Sequence, residues 1–217
     1  MGVVLQCARY RNISQMEYIV GLECLVKASE THPEQVNTDP GVLQGRIEML
    51  FQEFILENTD RLNARLYDRF MALYGTDRIR QSHHFEGRFE NIYADAADIP
   101  EINVVLEQLK QQAAKMLAVP ADNLKAGFWF NAMEPGQRTA MHHHDENDEL
   151  LSAVYYIRVP ENSGDLMLHA ADKQFRVHPQ AGKLVMFSPQ LMHEVTAHLG
   201  SGLRLAVGMN IGPAGDD

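Results

Sequence analysis

The chain has 217 residues, of which 45% are apolar and 22% charged, a composition that excludes disordered and fibrous proteins. The net charge of -10 argues against a nucleic-acid partner, because binding a phosphate backbone relies on a concentrated positive surface. Two cysteines, no signal-peptide pattern and no apolar run of membrane-spanning length predict a soluble cytoplasmic protein without a membrane partner.

The first half of the chain has the apolar spacing of helices. A capping box of Ser14 and Glu17 begins a helix that we predict to end near Glu30. A second stripe, from Leu43 through Phe54, predicts another helix. Two further apolar stripes follow. The first continues the second helix or begins a third, and it consists of Leu62, Leu66, Phe70 and Leu73, with Gly75 at the end. The second predicts another helix after Pro100 and consists of Ile102, Val105, Leu109 and Met116.

After Pro120 the chain changes to short segments rich in β-branched and aromatic residues, separated by turn formers. The predicted strands are Lys125 to Met133, Leu150 to Val159, Asp165 to Leu168, Phe175 to Val177, Lys183 to Phe187 and Leu203 to Ile211. Strands spaced so closely favour a sandwich or jelly roll over a parallel sheet. We therefore predict an α+β fold in one domain, residues 1–217. Residues 1–120 would be mainly helical support, packed on one face of a jelly-roll (double-stranded β-helix) core at 121–213.

One segment before this core is ambiguous. Gln81 to Asp95 carries His83, His84 and three aromatic residues among charged ones. We interpret it as an added edge strand with a polar outer face, and the alternative is that it lines the entrance of a site.

A histidine cluster carries the strongest chemical signal. His142 and His144 are one residue apart, so on an extended strand both point to the same face and His143 points away. Imidazole is a good ligand for borderline metals, and a third ligand from a distant strand would complete a facial set. His193, between two apolar strands, is the best candidate. The alternative is a solvated histidine-rich turn.

Arg204 is the second signal, because it lies inside the apolar run Leu203 to Met209. A buried guanidinium requires an anion, since an unpaired buried charge costs on the order of several kcal/mol. A ligand carboxylate satisfies this requirement with two parallel hydrogen bonds. The alternative partner is a carboxylate of the protein itself.

Together these residues resemble the 2-oxoglutarate and Fe(II)-dependent oxygenase superfamily, and within it small bacterial and phage-type members related to prolyl hydroxylases. The resemblance extends from about Lys125 to Pro213. It rests on Gly136 six residues before His142, His142-x-His144, the run from Leu151 to Tyr156, Pro160 with Ser163 to Leu166, Gly182 to Phe187, His193 to Val195, and Arg204 through Asn210.

The resemblance implies an oxidoreductase, a 2-oxoglutarate-dependent dioxygenase that hydroxylates a small-molecule or peptide substrate with Fe(II) as metal and 2-oxoglutarate as cosubstrate. His193 would be the distal iron ligand, and Arg204 would pair with the distal carboxylate of 2-oxoglutarate. Tyr156 matches a tyrosine that donates to the same carboxylate. Asn131 is a weaker candidate contact, and a strand-edge polar residue is the equal alternative. No catalytic residue beyond the metal ligands is implied.

The family's usual proximal motif is His-x-Asp, from which this sequence departs. The spacing from Gly136 favours His142 and His144, whereas a shift by one residue gives His143 and Asp145 and restores a carboxylate ligand. Strand alternation permits either pair, and we favour the first.

Two other classes remain open. The spacing from Gly136 through His142-x-His144 to Glu149 is similar to the opening of the cupin pattern, in which Glu149 would be a metal ligand. A cupin-type metal-binding protein could be an isomerase, a 2-oxoglutarate-independent dioxygenase or a binding module. The later part of that pattern fails, because His193 lies eleven residues after Gly182 instead of three. The other class is a catalytically silent fold that serves as an interaction module.

Overall fold

The computed structural model describes residues 50–144 and 148–215. The predicted helix from Ser14 to Glu30, and the part of the second predicted helix before Leu50, lie outside these residues. Within the described ranges, no helix is long and apolar enough to cross a membrane.

Two α-helices form where the apolar stripes predict them. Helix α1 spans Asp60–Leu73 and helix α2 spans Ile102–Leu117. Gly75 follows α1 with a φ of +83°, the left-handed conformation that glycine adopts without strain. Both helices bury their predicted faces, and the buried residues are Leu66, Phe70, Leu73, Ile102, Val105 and Leu109. A short 3₁₀ turn at Ala121–Asn123 leads from α2 into the strands.

Eleven β-strands are described. They are β1 (Phe51–Ile55), β2 (Arg80–Phe85), β3 (Arg88–Tyr93), β4 (Leu124–Met133), β5 (Thr139–His142), β6 (Leu151–Arg158), β7 (Leu166–Ala170), β8 (Lys173–Val177), β9 (Lys183–Phe187), β10 (Met192–Val195) and β11 (Arg204–Pro213). All six strands predicted after Pro120 are present. Strands β2 and β3 form an antiparallel hairpin, which confirms the edge strand predicted for this segment.

The strands form two antiparallel sheets. The larger sheet has the order β1-β9-β6-β11-β4-β3-β2, and the smaller has the order β5-β10-β7-β8. Side chains from both sheets share one apolar cluster, which includes Tyr156, Val185 and Ala206 from the larger sheet and Leu166 and Leu168 from the smaller. The two sheets therefore face each other, as in the predicted α+β jelly roll.

A second apolar cluster lies on the other face of the larger sheet. It joins Phe70 of α1 and Val105 of α2 to Phe130, Tyr155 and Val207 of the sheet. Tyr155 also donates a hydrogen bond to Asn63 Oδ1 of α1 at 2.7 Å. The two helices therefore brace one face of the sheet, and its other face is left for the space between the sheets.

The prediction of a helix through Leu50, Phe51 and Phe54 is wrong at its end. Residues 51–55 form β1, an edge strand paired with β9 in the register Phe51 to Phe187. Phe51 packs against Phe175 of the facing sheet, with ring centroids 5.4 Å apart. Ladder hydrogen bonds and this cross-sheet packing override the helical spacing of the apolar residues. Residues 50–120 thus supply three strands as well as two helices, and the single domain of residues 1–217 stays a prediction.

Candidate metal centre

Three imidazoles converge at one end of the smaller sheet. His142 of β5 lies directly opposite His193 of β10, and His144 follows two residues after β5. The ring centroids are 4.2 Å apart for His142 and His193, 4.8 Å for His142 and His144, and 5.2 Å for His144 and His193. One nitrogen from each ring lies within 4.8 Å of the others. This spacing allows all three nitrogens to reach a single ion.

Hydrogen bonds fix the orientation of two of these rings. Nδ1 of His142 is 2.7 Å from the Ala140 carbonyl oxygen, and Nδ1 of His193 is 2.9 Å from that of Leu191. Because a carbonyl oxygen only accepts, Nδ1 carries the proton in each ring. The Nε2 lone pair is then available to a metal. A hydrogen bond from the other ring nitrogen to a carbonyl oxygen is typical of metal-bound histidines.

Burial keeps two imidazoles of the cluster, those of His144 and His193, neutral. It lowers the pKa of His193 to about 3 and the pKa of His144 to about 4, and the neighbouring His142 lowers both further. At neutral pH both rings are therefore unprotonated, as a metal ligand must be.

A buried ion pair anchors strand β5 beneath the histidines. Glu90 Oε1 accepts the N–H of Ala140 at 2.9 Å, and Ala140 in turn accepts the hydrogen bond from His142. Arg88 donates to Glu90 at 3.4 Å, to the Arg138 carbonyl at 2.9 Å and to the Ala132 carbonyl at 3.2 Å. The hairpin β2–β3 thus holds the peptide that positions His142.

Trp129 closes the cluster on the side of the larger sheet. Its ring contacts His144 edge-on at a centroid distance of 5.3 Å and lies over Gly208 of β11. A Cβ atom at Gly208 would lie 2.4 Å from Trp129 Cε2. Only glycine leaves room for the ring in this position.

We expect Gly208→Ala to displace Trp129 from His144. The added methyl overpacks the site, so the free energy of unfolding should fall by about 1–3 kcal/mol. Denaturant unfolding measures this loss, and the change in Trp129 fluorescence reports the displacement, since Trp129 is the sole tryptophan of the chain. Gly127→Ala is the matched control, because a Cβ there meets nothing within 4 Å. Equal stability losses in both variants would contradict this role of Gly208.

Arg204 begins β11 and is 1% exposed. Nη1 lies 3.5 Å from the Met133 sulfur, and Cζ lies 5.2 Å from the centroid of the Tyr156 ring. Nε and Nη2 are buried and have no hydrogen-bond partner among the described residues. Burial lowers the pKa of Arg204, and Tyr156 partly opposes that shift. The protein thus holds a buried guanidinium with two free donors.

Tyr156 and Asn131 present further unused polar atoms nearby. The Tyr156 hydroxyl is buried without a partner among the described residues, and burial raises its pKa to about 12. Asn131 donates through Nδ2 to the Glu90 carbonyl at 3.1 Å, whereas its buried Oδ1 has no partner in the described part of the chain. Both residues lie opposite Ala206 in the sheet, two residues from Arg204. Buried polar groups are rarely left unpaired, so these atoms indicate a ligand site.

The guanidinium and the histidines belong to the same space. Alternate residues of a strand share a face, so Arg204, Ala206 and Gly208 all face the smaller sheet. Ala206 is part of the apolar cluster between the sheets, and Gly208 carries the Trp129 ring that contacts His144. The structure therefore brings together His142, His144, His193, Arg204, Tyr156 and Asn131.

The alternative ligands lie elsewhere or outside the described residues. His143 is exposed and is not part of the convergent cluster, and Asp145 lies outside the described ranges. Glu149, which the cupin alternative requires as a ligand, is also not in the cluster, and its Oε1 lies 3.5 Å from Asn210 Nδ2.

Comparison with known families identifies the core. Residues 128–212 match the family model described as the 2OG-Fe(II) oxygenase superfamily. The match extends from β4 to β11 and so includes the strands that carry the histidine cluster and Arg204. The resemblance stated from the sequence is confirmed at the level of this superfamily, and with it the prediction of a 2-oxoglutarate-dependent dioxygenase. No curated protein matches the sequence.

Solved structures of low sequence identity share the fold. A Pseudomonas putida prolyl-4-hydroxylase is 19% identical with a TM-score of 0.57, and the match covers 81% of this chain and 98% of that one. The epimerase SnoN, in complex with Fe3+, alpha ketoglutarate and nogalamycin RO, is 14% identical with a TM-score of 0.58, covering 80% and 84%. A Trichoplax adhaerens prolyl hydroxylase, in complex with a hypoxia inducible factor peptide fragment, is 14% identical with a TM-score of 0.55, covering 81% and 94%.

Sequence reasoning missed three parts of this candidate site. Trp129 was not predicted, although alternation along β4 places it on the same face as Asn131. Gly208 was not predicted either, because only the position of the Trp129 ring reveals why a glycine is needed there. The anchoring pair Arg88 and Glu90 has no local signal, since its partners on β5 are distant in sequence.

Proposed function

We propose that this protein is an Fe(II)- and 2-oxoglutarate-dependent oxygenase that hydroxylates a small-molecule or peptide substrate. His142, His144 and His193 would hold the iron, and Arg204 and Tyr156 would bind the distal carboxylate of 2-oxoglutarate. The observation that carries this proposal is the buried guanidinium of Arg204, unpaired among the described residues, on the face of the larger sheet that is turned toward the smaller sheet and its histidine cluster.

The donor set fits Fe(II). Imidazole nitrogen suits iron among the divalent metals, and three convergent ligands leave further coordination positions open. Rings whose outer nitrogens are fixed by carbonyls of β5 and the β9–β10 turn need little rearrangement to bind an ion. An all-histidine set carries no charge, which distinguishes it from the usual set of two histidines and one carboxylate.

The pocket also fits a dicarboxylate. Arg204 offers Nε and Nη2, which form the fork that matches the two oxygens of a carboxylate. The raised pKa of Tyr156 keeps its hydroxyl protonated, so it donates to the same carboxylate. Leaving these groups buried without a partner would cost on the order of 3–5 kcal/mol, which the ligand would offset.

When bound, Fe(II) with 2-oxoglutarate and dioxygen supplies the oxidant for hydroxylation of a C–H bond. The chain's own residues orient and shield that chemistry. Phe187 packs edge-on against His193 at 4.8 Å, and Leu168, Val185 and Leu191 complete an apolar lining between the sheets. This lining excludes water, which strengthens the pairing of Arg204 with its carboxylate. We assign Asn131 Oδ1 as an acceptor for a hydroxyl or N–H of the bound molecules.

The substrate belongs to one of two classes that this fold accommodates. Among the similar structures, a prolyl hydroxylase holds a peptide fragment and SnoN holds nogalamycin RO. The proposal therefore includes both peptides and small molecules. A cytoplasmic location stays a prediction.

Anaerobic titration tests the proposal. We expect one Fe(II) per chain, and we expect added 2-oxoglutarate to produce a weak visible absorption band and to raise the thermal unfolding midpoint. Succinate formation under oxygen, measured with and without candidate substrates, then tests turnover. Tight metal binding without any response to 2-oxoglutarate would instead favour the cupin-type alternative.

A further inference from the structure

The hairpin β2–β3 extends the site's surface beyond β4. Ile92 of β3 pairs with Phe130 of β4, so Tyr93 and Asn91 flank Trp129 and Asn131 on the same face of the sheet. Trp129 contacts His144, and neighbouring strands are about 4.8 Å apart. Side chains on this face of the hairpin therefore lie one or two strand spacings from Trp129, the residue that contacts His144.

Four polar side chains on the hairpin form one network. Asn91 Nδ2 lies 3.1 Å from His83 Nδ1 and 3.2 Å from the Tyr93 hydroxyl. Ser82 Oγ lies 2.7 Å from His83 Nδ1 and 3.3 Å from the Tyr93 hydroxyl. We name these four residues, together with Arg80, the hairpin cluster.

The proton positions in this network follow from its donors. An amide nitrogen only donates, so Asn91 Nδ2 gives one hydrogen to His83 Nδ1 and the other to the Tyr93 oxygen. His83 then carries its proton on Nε2, whereas the hydroxyls of Ser82 and Tyr93 are engaged with each other and with His83 Nδ1. The network therefore offers one outward donor, the Nε2–H of His83, to an external acceptor.

His83 is held in an unfavourable backbone conformation. Its φ is 56°, in the left-handed region that a residue other than glycine adopts at a cost of roughly 1 kcal/mol. The ring is exposed, so burial does not stabilise this conformation. This conformation places His83 Nδ1 within hydrogen-bond distance of Ser82 Oγ and Asn91 Nδ2, and it leaves His83 Nε2 pointing outward.

Arg80 adds a positive charge to the same surface. Its Cζ lies 5.8 Å from the centroid of the Tyr93 ring, directly across the hairpin. The chain has 29 acidic residues against 19 lysines and arginines, yet no carboxylate pairs with Arg80 within residues 50–144 and 148–215. A cation and one outward donor thus form a patch of anion-binding character on an acidic protein.

We propose that the substrate carries a carboxylate and that Arg80 and His83 bind it beside the metal centre. Ser82, Asn91 and Tyr93 are positioning residues, which orient His83. The inference rests on the proposed function, since it names the substrate class of that site. The carboxylate belongs either to a free small acid or to an acidic residue of a peptide.

Matched acid and amide probes test this inference. N-acetylglycine is compared with N-acetylglycinamide, and acetyl-Gly-Glu-Gly-amide with acetyl-Gly-Gln-Gly-amide. Each is titrated into the full chain loaded with Zn(II), a diamagnetic replacement for iron, and saturated with 2-oxoglutarate so that Arg204 is already paired. NMR signals of the His83 ring, assigned by their loss in His83→Gly, report binding. We expect saturable shifts with the acid of at least one pair and none with its amide.

Three substitutions should weaken the acid's binding. His83→Gly removes the imidazole while suiting the left-handed backbone, Tyr93→Phe removes the hydroxyl, and Arg80→Gln removes the charge. Each loss of a partly exposed contact is expected to raise Kd about two- to tenfold. For His83→Gly, binding is followed through the Tyr93 ring signals. The matched controls are His178→Ala and Tyr74→Phe, which alter an exposed histidine and an exposed tyrosine outside the hairpin cluster.

The outcomes separate this inference from the proposed function. Binding of the free acid alone or of the peptide alone supports the inference and identifies the source of the carboxylate. Equal responses to acid and amide, no response of His83, or unchanged Kd in all three variants would overturn it. Binding of 2-oxoglutarate is followed in the same samples through the NMR signals of the His193 ring. If the proposed function is wrong, these signals do not respond to 2-oxoglutarate, whatever the His83 signals do.

Discussion

Arg204→Ala is expected to weaken 2-oxoglutarate binding by roughly tens- to thousands-fold while leaving metal binding unchanged. The substitution removes a charge-assisted pair that is fully desolvated, worth on the order of 2–5 kcal/mol. Two of the three guanidinium nitrogens have no partner within the described residues, so both can donate hydrogen bonds to the ligand carboxylate without breaking bonds to those residues. Titration of the metal-loaded protein with 2-oxoglutarate measures the loss, and metal content after desalting measures the second half of the expectation.

Two further variants distinguish a binding role from a structural one. Arg204→Met fills a similar volume with an apolar side chain, so the ligand-free protein should be at least as stable as the unsubstituted protein. Added 2-oxoglutarate should then no longer raise the unfolding midpoint. Arg158→Ala, an exposed arginine at the end of β6, is the matched control. If Arg204→Met unfolds the protein or removes its metal, Arg204 is a structural residue.

His144→Ala is expected to abolish iron binding, whereas His143→Ala retains most of it. His144 lies with His142 and His193 in the convergent cluster, and His143 is exposed outside it. Losing one of three ligands leaves an incomplete set that binds metal weakly. Iron bound per chain after anaerobic loading measures the difference, and His143→Ala serves as the control because it alters the neighbouring imidazole.

Asp145 and Glu149 complete this series. Asp145→Ala should cost at most roughly ten- to a hundredfold in metal affinity, the size expected if its carboxylate orients a ligand imidazole. Glu149→Ala should leave metal binding intact. The reverse pattern, with His143 and Asp145 essential and His144 dispensable, would restore the usual carboxylate set. A loss of metal with Glu149→Ala would favour the cupin-type alternative.

The helices and the long strands are readable from the sequence because their burial pattern is local. The stripe of Leu62, Leu66 and Phe70 repeats with the period of a helix and predicts α1. Strands β4 and β11 are long enough for β-branched and aromatic residues to mark them. Strand β1 is different, because the spacing of Leu50 and Phe54 suits a helix as well. Its pairing with β9 depends on residues far along the chain.

The sequence by itself determined which residues are the candidates for the chemistry. Three histidines in this order predicted a metal site, because imidazole is a good metal ligand. One arginine inside an apolar strand predicted an anion, because a buried guanidinium needs a partner of opposite charge. Their register rested on the spacing from Gly136 alone. Strand alternation permits either proximal pair, and it is the pairing of β5 with β10 that places His142 opposite His193.

Only the tertiary structure decided how these residues meet. Strands β5 and β10 are short and polar at the histidines, so long-range ladder hydrogen bonds, and not local propensity, set their pairing. The same holds for the Arg204 donors that have no partner among residues 50–144 and 148–215, because a missing partner is visible only when the surrounding strands are in place. It holds also for His83, whose left-handed backbone turns it toward Asn91. Residue identity is local information, whereas convergence and unsatisfied hydrogen bonds are properties of the packed sheets.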